Sequence, residues 1–123
     1  MADVLSRIHS AVALLDADAP DFPEAALEVE EFFRKKKIPL SLKALHRGSW
    51  IFADSKAELF LSLMPSKNWH LELNARRSKA VFKAGRQQLK GEVFDLVINA
   101  GPDTPYSQTE IFRRMIQIMG SIK

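Results

Sequence analysis

The 123-residue sequence contains no cysteine. Disulfide bonds, thiolate metal sites and cysteine nucleophiles are therefore excluded, as is usual for a protein of a reducing compartment. No apolar run approaches the roughly 20 residues that cross a bilayer. The N-terminus has no basic segment before its apolar stretch, which Asp3 and Arg7 interrupt, so we predict no signal peptide. Together these absences predict a cytoplasmic protein with no membrane partner.

Residues that build cofactor and metal sites are also sparse. The five glycines are isolated, so the glycine-rich loops that hold nucleotide phosphates are absent. The three histidines, His9, His46 and His70, are far apart and show none of the spacings of zinc sites. We therefore predict neither a cofactor nor a bound metal. His70 is a weak catalytic candidate, because Glu72 would share its face of a strand.

Charge is abundant in the sequence and unevenly distributed. Residues 1–31 carry eight acids against one base, whereas residues 32–90 carry fourteen lysines and arginines against three acids. The formal net charge of +3 therefore hides a strongly basic middle segment. A surface of that kind attracts polyanions or acidic protein surfaces. The opposite charges of the two segments would also allow two copies to pair as a homodimer.

The composition and periodicity indicate a single folded domain over residues 1–123. The apolar fraction is 46% and the charged fraction is 27%, which is ordinary for a globular protein. We predict an α+β fold with the order ααββββαβα, in which helices cover a mostly antiparallel sheet. The predicted helices cover about 3–16, 21–37, 78–90 and 107–120, and the predicted strands cover 40–46, 49–54, 57–64, 69–75 and 92–99.

Local signals support several of these elements. Asp21 and Glu24 have the spacing of a capping box at a helix start, and so do Ser107 and Glu110. The segment 57–64 is apolar on both faces, which is typical of a strand in the middle of a covered sheet. We therefore expect this strand to lie at the centre of the core.

The predicted helix 78–90 carries the most specific pattern in the sequence. Four of its cations are spaced by four, three and four residues, which aligns them along one helical face. Two arginines come just before it. A row of cations on a rigid helix suits contacts with phosphates. The predicted nucleic-acid-binding residues are Arg76, Arg77, Lys79, Lys83, Arg86 and Lys90.

A second basic cluster, residues 34–37 with the sequence RKKK, ends the predicted helix 21–37. Cations in a last turn stabilise a helix by interacting with the negative end of its dipole, so the position alone explains them. This cluster would add to a phosphate-binding surface only if the fold brought it to the same side as the first cluster. The sequence does not determine that.

Asp54 and Glu72 are the best indication of an enzyme. Asp54 would end one strand, and Glu72 would lie on another. The order of elements around these acids is similar to that of the PD-(D/E)xK nuclease core. This resemblance implies that the two acids hold Mg²⁺ while a lysine stabilises the attacking water. The sequence departs from the motif, because Asn74 stands where that lysine belongs.

Our leading hypothesis from the sequence is a non-enzymatic module that binds a polyanion, foremost nucleic acid, through the basic region 76–90. One alternative is a protein-interaction protein, of the chaperone, inhibitor or immunity type, that docks on an acidic partner. The other alternative is a metal-dependent nuclease with a degenerate PD-(D/E)xK-like site.

Overall fold

A computed structural model of the chain describes residues 5–46, 56–64, 69–86, 91–98 and 107–120. One five-stranded sheet joins all the strands of these segments. In chain order the elements are a 3₁₀-helix (Leu5–Arg7), β1 (Ala11–Asp16), α1 (Phe22–Lys35), β2 (Leu40–Leu45), β3 (Leu59–Ser62), α2 (Trp69–Arg77), β4 (Phe82–Gly85), β5 (Leu96–Val97) and α3 (Gln108–Met119).

Every strand pair that the structure describes is parallel. The strand order is β2-β1-β3-β4-β5. Ala11 of β1 pairs with Leu40 of β2 on one side and with Leu59 of β3 on the other. β4 pairs with β3, and β5 pairs with β4. The predicted α+β fold with a mostly antiparallel sheet is therefore wrong, and the protein has an α/β fold.

Helices cover both faces of this sheet. α1 and α3 pack on the face to which Leu59 and Leu61 point, and α2 packs on the face to which Phe60 points. Successive residues of a strand point to opposite faces. Because helices cover both faces, all three side chains are fully buried. The prediction of a central, doubly covered strand within 57–64 is confirmed. None of the described helices is both long and apolar enough to cross a membrane.

The segment predicted as the first helix contains β1 instead. Leu5, Ile8 and Val12 have helical spacing, but residues 11–15 (AVALL) also form an unbroken apolar run. Every residue of that run is at most 2% exposed. A short unbroken apolar run is typical of a strand buried on both faces, and periodicity alone does not distinguish it from a buried helix. This segment pairs with β2 on one side and with β3 on the other, which identifies it as a strand and not as a helix.

Two neighbouring predictions are also wrong. The segment 69–75, predicted as a strand, lies in helix α2, whereas the predicted helix 78–90 contains strand β4. Gly85 of β4 permits a close contact with the ring of Phe94, since a Cβ at this position would lie only 2.7 Å from the Phe94 Cε2 atom. A glycine inside a strand commonly marks such an approach. Phe82, Ala84 and Gly85 therefore belong to the sheet and not to a helix.

The two capped helices of the prediction, α1 and α3, are confirmed, although the caps differ. The Ser107 hydroxyl accepts a hydrogen bond from the Glu110 N–H at 3.2 Å, as the capping box predicts. The Asp21 side chain forms no such bond with α1. Its Oδ2 atom instead accepts from the N–H and the hydroxyl of Thr109, at 3.1 and 3.3 Å. Asp21 thus joins the start of α1 to the start of α3.

Replacing Leu61 by alanine tests the central position of β3. Leu61 is fully buried in the middle strand of the sheet, so Leu61→Ala should lower the free energy of unfolding by about 2–5 kcal/mol. Leu27 is 57% exposed on α1, and Leu27→Ala should change the same quantity by less than about 0.5 kcal/mol. Urea denaturation of both variants measures the difference. Equal unfolding midpoints for the two would contradict this packing.

Candidate nucleic-acid interface

The parallel sheet gives the protein two edges of different character. All strands begin at one edge, which we call the amino edge, and end at the other, the carboxyl edge. A helix that connects two parallel strands runs back across the sheet, so α1 and α2 end at the amino edge. The cluster 34–37 and the pair Arg76 and Arg77 lie at these helix ends. The fold therefore brings the two basic clusters of the sequence to the same edge.

Hydrogen bonds tie the chain segments at the amino edge to one another. The Ala11 N–H donates to the Pro39 carbonyl at 2.9 Å. The Ser10 hydroxyl accepts from the Glu58 N–H at 3.1 Å. The Glu58 carbonyl in turn accepts from the Val81 N–H at 2.8 Å. These bonds join the residues at the starts of β1, β2, β3 and β4 into one row.

Nine lysines and arginines lie close in sequence to this row, and all nine are exposed. One precedes β1, four lie at the end of α1 before β2, one precedes β3, and three lie at or just after the end of α2 before β4. We refer to these nine residues as the basic edge: Arg7, Arg34, Lys35, Lys36, Lys37, Lys56, Arg76, Arg77 and Lys79.

Five acidic residues lie at the carboxyl edge, whereas Glu58 and Asp95 directly precede strands at the amino edge. Asp16 ends β1, and Asp18 and Asp21 follow it in the connection to α1. Glu24 and Glu110 lie in the first turns of α1 and α3. In α1 the charges complement the helix dipole at both ends, with Glu24 in the first turn and Arg34 and Lys35 in the last, and in α3 Glu110 does so at the N-terminus. The charge difference between two parts of the sequence thereby becomes a charge difference between two edges of the sheet.

Only part of the predicted cationic stripe belongs to the basic edge. Strand β4 occupies residues 82–85 of the predicted helix, so Lys79, Lys83 and Arg86 do not share a helical face. Lys83 is half-buried in β4, where its Nζ atom donates to the Ala75 carbonyl at 2.8 Å. Lys90 lies outside the described residues. The predicted residues that do belong to the basic edge are Arg76, Arg77 and Lys79.

Arg86, predicted to face solvent, is only 4% exposed. It follows β4 at the carboxyl edge, and its Nη1 atom lies 3.5 Å from the Leu63 carbonyl oxygen. Burial lowers the pKa of Arg86, and the negative charge of Asp21 partly offsets that effect. The prediction that Arg86 is exposed is wrong because it assumed that residues 78–90 form a helix. Arg86 therefore belongs to the interior of the carboxyl edge and not to the basic edge.

The structure changes the setting of the nuclease candidates. Glu72 and His70 lie in helix α2, so the expectation that Glu72 lies on a strand is wrong. Asp54 lies outside the described residues. Within the described part of the chain, no three His, Asp or Glu side chains cluster as ligands for a metal ion. Glu72 therefore does not supply the strand-borne acid that the resemblance requires.

Sequence reasoning missed Arg7 and Lys56 as members of the basic edge. Each is an isolated cation in the sequence, and no local pattern connects it to the clusters at 34–37 and 76–79. The parallel direction of the strands brings these segments together. A correct assignment of β1 and β3 as parallel neighbours would have identified both residues.

The fold and the charge arrangement define a doubly wound parallel α/β protein with a basic amino edge. Residues 21–117 match the model of DUF6913, a family of unknown function, and the chain belongs to that family. The match runs from the start of α1 into α3, and the central strand β1 precedes it. No curated protein and no solved structure shows a significant similarity to the chain.

Charge reversal distinguishes the buried Arg86 from the exposed cations. Arg86→Glu would introduce an uncompensated buried anion near Asp21, so it should lower the free energy of unfolding by about 3 kcal/mol or more. Lys79→Glu makes the same change of charge at an exposed position and should alter stability by less than about 0.5 kcal/mol. Urea denaturation measures both. An Arg86→Glu variant as stable as the wild type would show that Arg86 is not buried.

Proposed function

We propose that this protein is a non-enzymatic module that binds nucleic acid through the basic edge. The observation that carries the proposal is the gathering of nine exposed cations, from four separate segments, on one edge held by hydrogen bonds. Each cation that neutralises a phosphate releases a counterion, and this release drives binding. The absence of cysteine fits a reducing cytoplasm as the place of this interaction.

The dimensions of the sheet suit a strand of nucleic acid. Neighbouring strands are about 4.8 Å apart, so the four strands β2, β1, β3 and β4 span about 15 Å. Phosphates repeat every ~3.4 Å along one strand of a duplex, so about four phosphates fit this span. Lysines and arginines that contact phosphates hold the backbone without reading the bases. We therefore expect about four phosphate contacts and little preference for sequence.

An acidic protein surface is the competing partner for the same edge. Charge reversal in the basic edge would weaken either interaction, so that loss alone does not identify the partner. Binding of nucleic acid of arbitrary sequence at low salt does identify the partner, because counterion release from phosphates is independent of sequence. The proposal is therefore tested first by nucleic-acid binding of the wild-type protein and then by nucleic-acid binding of its variants.

Titration with a single-stranded oligonucleotide across a salt series tests the proposal. For the wild type, log K should fall with log salt with a slope of about −3, which corresponds to about four phosphate contacts. Lys35 ends α1 on one face of the sheet, and Lys79 follows α2 on the other. Lys35→Glu and Lys79→Glu should each weaken binding and make the slope shallower by about one unit.

Arg114→Glu is the matched control for these variants. Arg114 is exposed in the middle of α3, away from the basic edge, and its reversal changes the net charge by the same amount. It should weaken oligonucleotide binding much less than Lys79→Glu does. Equal losses for all three variants would assign binding to net charge rather than to the basic edge. Absence of binding by the wild type at low salt would overturn the proposal and favour an acidic protein as the partner.

A further inference from the structure

A groove opens in the basic edge between the 3₁₀-helix and the end of α1. Its cavity volume is about 360 Å³, which is within the range of pockets that take small ligands. The residues that define it combine an apolar floor with a polar side. Leu5, Ile8 and Ile38 form the floor, and the polar side consists of Ser6, His9, Lys36 and Lys37.

Lys37 has an unusual backbone conformation for a lysine, with φ of 59°. It follows α1 in a Schellman motif, in which the Lys37 N–H donates to the Arg34 carbonyl at 3.0 Å and the Ile38 N–H donates to the Phe33 carbonyl at 2.9 Å. Glycine is usual at this position, because a Cβ is disfavoured in the left-handed region. Because lysine is unfavourable in this backbone conformation, its presence at position 37 indicates that its side chain has a function.

The neighbouring Lys36 has a different environment. Its Nζ atom lies 5.8 Å from the centroid of the Phe32 ring, within the range of a cation–π interaction. The ammonium of Lys36 is therefore directed by a contact with its own helix. Lys37 is the lysine on which binding in the groove depends, and Lys35, which ends α1 and lies outside the lining of the groove, provides a control of equal charge.

Glu58 holds His9 at the groove through two contacts. Its Oε1 atom accepts from the His9 N–H at 2.7 Å and lies 3.1 Å from the His9 Nδ1 atom. The backbone N–H of Glu58 donates to the Ser10 hydroxyl at 3.1 Å, which fixes the carboxylate to the start of β1. These contacts orient the imidazole of His9 and engage the Oε1 atom of Glu58.

We propose that the groove seats one nucleotide unit of the bound strand. The phosphate lies against Lys37 and His9, and the sugar and base lie against Leu5, Ile8 and Ile38. The polar side alone would take any phosphate, and the apolar floor beside it favours a phosphate that carries a group able to pack on it, such as the sugar and base of a nucleotide. This inference rests on the proposed function and names a specific contact within the basic edge.

Calorimetric titration with adenosine 5′-monophosphate, adenosine and inorganic phosphate tests the groove separately from the oligonucleotide. The wild type should bind the monophosphate about tenfold more tightly than either of the other two. Lys37→Gln should weaken monophosphate binding by about tenfold, whereas Lys35→Gln should weaken it by less than about threefold. Lys37→Gly should lose the same affinity and also melt at a higher temperature, because glycine relieves the backbone.

The outcomes separate the groove from the wider proposal. Equal losses in Lys35→Gln and Lys37→Gln would overturn the groove as a specific site. Oligonucleotide binding without monophosphate binding would also overturn it, while leaving the basic edge as the nucleic-acid interface. Monophosphate binding that depends on Lys37, without oligonucleotide binding, would support the groove as a nucleotide site and overturn the function proposed for the whole edge.

Discussion

The parallel pairing of β1 with both β2 and β3 is the constraint on which the rest of the structure depends. β1 is hydrogen-bonded on both sides and buried on both faces. Parallel neighbours cannot be joined by a tight turn, so the chain must cross the sheet between them. α1 makes that crossing between β1 and β2, and α2 makes it between β3 and β4. The order of elements, the two covered faces and the helix directions all follow from this pairing.

The direction of the helices then separates the charges. Cations are favourable at helix C-termini and acids at helix N-termini, and the parallel sheet gathers the C-termini of α1 and α2 at one edge. The cluster 34–37 and the residues 76–79 are far apart in the chain, yet they lie on one edge of the fold. A feature that stabilises each helix by itself therefore also produces a surface that attracts polyanions.

The carboxyl edge has a structural role that contrasts with this surface. The side chain of Gln108, which is 2% exposed, accepts from the Asp16 N–H at 2.7 Å and donates to the Asp16 carbonyl at 3.1 Å. Asp21 and Thr109 form a second link, between the start of α1 and the start of α3. Ligands of open parallel sheets commonly bind at this edge. Here the polar residues Gln108 and Thr109 fasten the last helix to β1 and to the start of α1, while the nine cations of the basic edge lie at the opposite edge.

The sequence by itself determined α1, α3 and the Ser107 cap, because these depend on helical periodicity and on contacts between residues a few positions apart. It also indicated that 57–64 is buried on both faces. It did not determine the identity of β1, α2 and β4, since short apolar segments fit a helix and a strand equally well until their distant partners are known. The burial of Arg86 and the union of Arg7, Lys56 and the two basic clusters at one edge follow from strand direction. That direction is set by hydrogen bonds between residues tens of positions apart, and only the tertiary structure decides it.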